Sequence, residues 1–398
     1  MFDTRYLSLD NHFSHLDIHQ KMNYLATYSI STDERTILEW SFADKNSSEY
    51  AISDWEFAFT YLSKNGLSAM FQSLAPELML SAPPVIQTKF KQDYFSQMAR
   101  NNHFAKVYNE IVVFLSQHKI EVMPLKGIYL SQTIYSDIAW RSMSDIDILV
   151  KPNLVKDAYE LLCRLANVSI DLDEFNSSDH HFPLFVYKGV SIEVHQALFP
   201  LNVKYNLPIQ AIWERSNYQR DNNLVYNMDK VLLFIYLSLH IYYTANRGGV
   251  RLAWFYDLIL LVNSADEAFF KNVSNEIEKH HLKKPLAEVF GVLSAISGLK
   301  FNYLEVSTSK KIIKRYIGFF SKSSSQKLEY SYSIAWERIS QTNGIISKLQ
   351  LGWFYIFKIP PQPNAFMYSW KLISRISHLF WSTLRMIGLK ILQRTGIN

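Results

Sequence analysis

The sequence predicts a mostly helical α+β protein, with a small mixed β-sheet core flanked by N- and C-terminal helical regions. Three observations predict it. Hydrophobic residues make up 48% of the 398 and charged residues 19%, while Gly and Pro number only 12 each, which favours a large core and long helices with few tight turns. Apolar residues recur with helical spacing through most of the chain. Between these segments lie a few short alternating or continuous apolar runs bounded by turn residues, which read as strands.

Residues 1–98 form an N-terminal helical region, with helices near 32–43, 50–65 and 66–74, broken at Ala82-Pro83-Pro84. Residues 99–208 form an α/β core. A long amphipathic helix, about 88–118, leads into a strand at 120–124. A helix at 127–135, a strand at 144–151 and a helix at 153–166 follow. In FPLFVYKGVSIEVHQALF two alternating runs meet at Lys188-Gly189, the signal of a hairpin. Residues 209–300 form a helical domain with helices near 228–244 and 250–263, joined by Gly248-Gly249. Residues 301–398 form a basic helical region broken at Ile359-Pro360-Pro361-Gln362-Pro363. No internal repeat or low-complexity segment is visible.

The single cysteine, Cys163, rules out a disulfide framework. The first residues carry charges and histidines where a signal peptide needs an apolar run. The apolar stretch Val231–Tyr243 is interrupted by Ser238 and His240 and is too short to span a bilayer. The expected location is therefore cytoplasmic. From Arg338 onward there is no acidic residue but eight basic ones, more than the whole net charge of +5. Within 365–398, Lys371, Arg375, His378, Ser382 and Arg385 share one helix face opposite an apolar one, with Trp370 and Trp381 toward the boundary. Such a helix either docks on the core with its basic stripe outward or meets an anionic partner or membrane surface, which would make the protein peripheral there.

The chemistry concentrates between Pro124 and Val150. Asp145 and Asp147 stand at i and i+2 of a strand, so they point the same way, about 6.6 Å apart at about 3.3 Å per residue. Ile146, Ile148, Leu149 and Val150 hold that strand in a core. Glu193 shares a face with Ser191 and His195, opposite Ile192 and Val194, and joins the aspartates if its strand lies beside theirs. Three like charges at one point call for cations, and magnesium suits carboxylates combined with substrate phosphates. The plainer alternative is a solvated strand edge, with Arg141 paired to Asp137 or Asp145. His180, His181 and His195 lack the spacing of a zinc site and read as packing or hydrogen-bonding residues near the acids. His240, on a strongly apolar helix, reads as a core histidine.

The pattern Leu125-Lys126-Gly127, Arg141-x-Met143-x-Asp145-Ile146-Asp147-Ile148-Leu149-Val150, His180 and Ile192-Glu193-Val194-His195 resembles the uncharacterised bacterial nucleotidyltransferase family. That family is a branch of the DNA-polymerase-β-like superfamily. The segment from Leu232 with His240 and Asp257-Leu258 is similar to the family's helical pair, so the resemblance covers about residues 35–265. It implies Asp145, Asp147 and Glu193 as catalytic metal ligands, for two magnesium ions or manganese in their place, with Lys126, Gly127 and Arg141 on the nucleotide. It also implies transfer of a nucleoside monophosphate from an NTP, with ATP the first expectation, to an unidentified hydroxyl, releasing pyrophosphate. One departure stands out: Ile128 follows the glycine where many superfamily members carry Gly or Ser, so the triphosphate contact must come from elsewhere, with Lys126 or Arg141 as candidates. Asp→Ala at either aspartate is expected to abolish turnover and spare the fold. Two other classes remain: an inactive nucleotidyltransferase-like binding scaffold, and a membrane-surface component of envelope or polysaccharide assembly. Nucleic acid is not an expected partner, because no aromatic and basic platform lies near the acids.

Overall fold

The computed structural model describes residues 30–42, 51–169, 179–200, 203–218, 224–246, 249–263 and 265–321. The chain divides into two units: Met1–Leu201, Tyr205–Ala245 and Gly249–Lys322 form the first, and Asn202–Lys204, Asn246–Gly248 and Ser323–Asn398 the second. Every element below belongs to the first. The basic stripe at 365–398 lies outside the described residues, as does Gly248.

The architecture is mostly helical with one small mixed sheet, as the sequence predicts. Helices α1 (Thr32–Phe42), α2 (Trp55–Asn65), α3 (Ser68–Leu74) and α4 (Pro76–Leu80) come first. The predicted start of α2 at residue 50 moves to Trp55 because Asp54 caps it, its carboxylate accepting from Phe57 N at 2.9 Å. Gly66, with φ +74°, ends it. The Pro83-Pro84 break is itself the start of α5 (Pro84–Gln117), since proline fits a first helical turn, where its missing N–H loses nothing.

Strands β1 (Val122–Pro124), β2 (Asp145–Val150), β3 (Phe185–Tyr187) and β4 (Val190–His195) follow, with α6 (Lys126–Thr133) after β1 and α7 (Val155–Ala166) after β2. Their order is β1-β2-β4-β3; β2 and β4 run parallel and the outer pairs antiparallel. Lys188-Gly189 is the hairpin turn, both residues at positive φ. Ile146, Ile148, Val150, Ile192 and Val194 are fully buried on one face, against α5 and α7. Each such side chain contributes about 1.5–3 kcal/mol, and together they fix which residues face the other way.

That other face carries the acids. Beyond the short helix α8 (Ile209–Glu214) and the strand pair β5 (Asn217–Tyr218) and β6 (Tyr226–Asn227), the helices α9 (Lys230–Ala245) and α10 (Leu252–Val262) meet the predicted pair closely. Helices α11 (Glu267–Lys279), α12 (Lys283–Ser297) and α13 (Lys310–Ser321) complete the unit. Among the described residues no helix is long and apolar enough to cross a membrane.

Candidate active site

Register brings the acids together. Asp147 stands directly beside Glu193 in the parallel β2–β4 ladder, and Asp145 beside Ser191. Alternation sends all of them away from the apolar core. The backbone N–H of Leu125 donates to Asp147 O at 3.0 Å, which ties the start of α6 to the same rung. Lys126 takes a left-handed conformation there, φ +45°, costing about 1–2 kcal/mol for a side chain of its kind. Gly127 is needed for a different reason: a Cβ on it would lie 2.9 Å from Met143 Cβ.

Asp147 is the hub. Its Oδ1 accepts from Lys126 Nζ at 2.7 Å and from His195 Nε2 at 2.9 Å. Carboxylates only accept, so Nε2 carries the hydrogen; it also lies 3.3 Å from Glu193 Oε2. Burial alone would push the Asp147 carboxyl up, but the Lys126 ammonium and the His195 ring override it and hold it well below the usual carboxylate range. Burial pulls Lys126 and His195 down; the acids, Asp147 above all, win and hold both above their ordinary values. Asp145, without such a partner, is pushed up to about 6 by burial and by the Asp147 charge.

The ligand atoms of Asp147, Glu193 and His195 lie within 4.8 Å of one another, close enough to share a cation, while Asp145 stands outside that group. His195 is fully buried and its Nδ1 has no hydrogen-bond partner among the described residues. The buried Tyr236 hydroxyl on α9, within the field of Lys126 and Asp147, has none among them either. Two carboxylates with a third two residues upstream offer the hard oxygen donors that magnesium takes, so the residues present fit the metal.

Lys126, Gly127, Arg141, Asp145 and Asp147 line one cavity of about 170 Å³, with Leu237, His240, Arg251, Trp254 and Asp257 from α9 and α10 among the other walls. Arg141 does not pair with Asp137 or Asp145 as the sequence suggested. Its Nε donates to Asp257 Oδ1 at 2.8 Å, and Tyr135 Oη donates to the same oxygen at 2.7 Å, all in buried surroundings. Asp137 instead caps the short 3-10 turn Ile138–Trp140 and accepts from Tyr94. Asn101 on α5, fully buried, donates to Ile138 O and Arg141 O and so fixes the loop that carries Arg141.

His240 departs from its core reading: it is partly exposed, lines the cavity, and its ring sits 5.0 Å from that of Trp254. Removing Asp147 would strand Lys126 and His195 without their acceptor, so sparing of the fold is now expected for Asp145 alone. Reasoning from sequence missed Asn101, Tyr236 and Arg251, none of which carries a local signal. The hydrogen bonds of His195 beside the acids match its expected reading, since it stands two residues after Glu193 on the same strand face. His180 and His181 pack their rings within 5.4 Å of the His195 ring.

No curated protein and no solved structure matches the chain. Residues 52–297, more than half of it, match the model of the family described as uncharacterised nucleotidyltransferase, and these residues include the carboxylate ladder, Lys126 and the α9–α10 wall; the chain belongs to that family.

Proposed function

We propose that the protein is a magnesium-dependent nucleotidyltransferase that moves a nucleoside monophosphate from an NTP to a hydroxyl acceptor, with release of pyrophosphate. The observation that carries this reading is the pairing of Asp147 with Glu193 across parallel strands, with Asp145 two residues before and both aspartates lining one cavity. On this reading 99–208 is the catalytic core and 209–300 the helical domain that closes one side of the substrate site.

Asp145, Asp147 and Glu193 would hold the ions. Bound there, magnesium supplies neutralisation of the phosphate charge and of the charge that develops during transfer. The chain's own groups do the rest. Lys126 and His195 keep Asp147 ionised and fix its rotamer. Gly127 lets the start of α6 approach the Met143 segment, so the helix N-terminus stands at the phosphate end of the cavity. Arg141, held by Asp257, forms a rigid cationic wall. Glu193 lines up the acceptor hydroxyl and takes its proton as the oxygen attacks the α-phosphorus and the bond to pyrophosphate breaks.

The test is a melting-temperature panel of ATP, GTP, CTP and UTP, with and without magnesium, on wild type and on Asp145→Asn/Asp147→Asn. Stabilisation by a nucleotide only with magnesium, absent in the double variant, is the expected result, with pyrophosphate release following once an acceptor is found. Ile128 in place of a small or hydroxyl residue, and Lys126 already seated on Asp147, favour one second reading, a nucleotide-binding scaffold without turnover. Binding that ignores magnesium would select it.

A further inference from the structure

We infer that Arg251 is the residue that grips the terminal phosphates of the nucleotide, a proposal that rests on the transferase reading above and deepens it. The need arises from α6. Ile128, directly after Gly127, is buried in the core among sheet and helix side chains and is not among the cavity's lining residues, so it offers no contact there. The next serine or threonine on the helix, Ser131, is also buried and donates to Ile128 O. The phosphates must therefore be held by a cation that other elements supply.

Three permanent cations line the cavity: Lys126, Arg141 and Arg251. Lys126 is committed to Asp147 at 2.7 Å and Arg141 to Asp257 at 2.8 Å, with its Nη1 on Ser142 O besides. Arg251 is exposed and its guanidinium has no hydrogen-bond or ion-pair partner among the described residues. Three aspartates line the same space, and two are matched to Lys126 and Arg141. What remains is one carboxylate, Asp145, and one guanidinium: a cation-binding function and an anion-binding function at the two ends of one chemical object, a metal-bound polyphosphate.

The surroundings agree. Arg251 is the N-cap residue of α10, an eleven-residue helix whose N-terminal end favours anions. Trp254, three residues on and so on the same helix face, also lines the cavity and is partly exposed, its indole edge-to-face with His240. A forked guanidinium matches two phosphate oxygens at once in a way an ammonium cannot. The wall built by α9 and α10 thus offers a phosphate clamp beside an aromatic surface.

The experiment measures binding by calorimetry at fixed magnesium for ATP, GTP, CTP, UTP, the corresponding monophosphates, and inorganic pyrophosphate. It uses wild type, Arg251→Gln and Arg251→Lys, with melting curves to confirm that each variant is folded. The expected result is a loss of about 10- to 100-fold in affinity for the bound triphosphate and for pyrophosphate in Arg251→Gln, the size of one or two charge-assisted hydrogen bonds. Monophosphate affinity should change by less than about threefold, and Arg251→Lys should recover only part of the loss, because an ammonium lacks the fork. Equal triphosphate affinity in wild type and Arg251→Gln would overturn the assignment and leave the transferase reading intact. Equal loss for monophosphate and triphosphate would overturn it too, by pointing to a general change in the cavity. Absence of binding by wild type to any of these compounds would overturn both readings together.

Discussion

Two buried aspartates, Asp147 and Asp257, reach the same cavity, each with a basic side chain 2.7–2.8 Å away, yet their surroundings differ in kind. Around Asp257 the charges cancel one to one: Arg141 faces it, Tyr135 adds a neutral donor, and the pair joins α10 to the loop before β2. Around Asp147 the acids outnumber the fixed cations. Asp145 and Glu193 share the strand face with it against one lysine and a histidine. The first arrangement is complete as it stands. The second has negative charge left over, which a cation from solution would neutralise. A buried ion pair is thus a lock or the core of a cation-binding site according to what else shares its space.

Breaking the lock should have the largest effect on stability. Arg141→Leu leaves Asp257 buried without its cation, and a loss of about 3–5 kcal/mol in urea-denaturation free energy is expected, the same with magnesium as with EDTA. Recovery of that loss by magnesium would erase the contrast between the two sites. Next comes Lys126→Met, which removes a cation from the acid-rich site. A loss of about 1–3 kcal/mol is expected in EDTA, and millimolar magnesium should restore most of it by supplying the missing charge. No recovery would show that Lys126 serves as a structural partner of the same kind as Arg141.

The smallest effect on folding belongs to Asp145→Asn, within about 1 kcal/mol, although magnesium-dependent nucleotide binding should vanish. Its pH dependence has a definite sign. Asp145 in the folded protein is pushed up to about 6, above its unfolded value. Its contribution to stability is therefore fully present below the unfolded pKa and fades as pH rises through about 6, a trend the asparagine variant should lack. Magnesium affinity should move the opposite way, falling about tenfold per pH unit below 6 as the proton competes for the carboxylate. Urea denaturation of wild type and Asp145→Asn from pH 4 to 8 checks the first, magnesium titration at pH 5, 6 and 7 the second, and a flat affinity would remove Asp145 from the ion site.

The legible part of the molecule was the part governed by short periods. Period-2 alternation predicted that Asp145 and Asp147 share a face and that Glu193 opposes Ile192 and Val194, and the Lys188-Gly189 step marked the hairpin. Proline and glycine positions set helix limits to within a few residues. What escaped was set by distance along the chain. Arg141 finds Asp257 116 residues away, in preference to the acids within a few positions of it. Asn101 reaches Arg141 O across 40 residues and Arg251 approaches the acids only through the helix pair. No local spacing encodes such meetings. His195 is the instructive exception, because the alternation that placed Glu193 also placed it beside the acids, where it makes the hydrogen bonds expected of it.

The parallel rung joining Asp147 to Glu193 has a bearing on assembly as well as on chemistry. Sliding β4 by one residue along β2 would turn Glu193 into the apolar layer and lift Ile192 and Val194 out of it, so the error would be resisted by every side chain in that layer. The selectivity of the core thus proofreads the alignment of the acids: a chain that has closed its hydrophobic layer has already aligned them. Changes deep in that layer, such as Ile192 or Val194 to a polar residue, would accordingly surface first as molecules that are compact and yet unable to gather the acids.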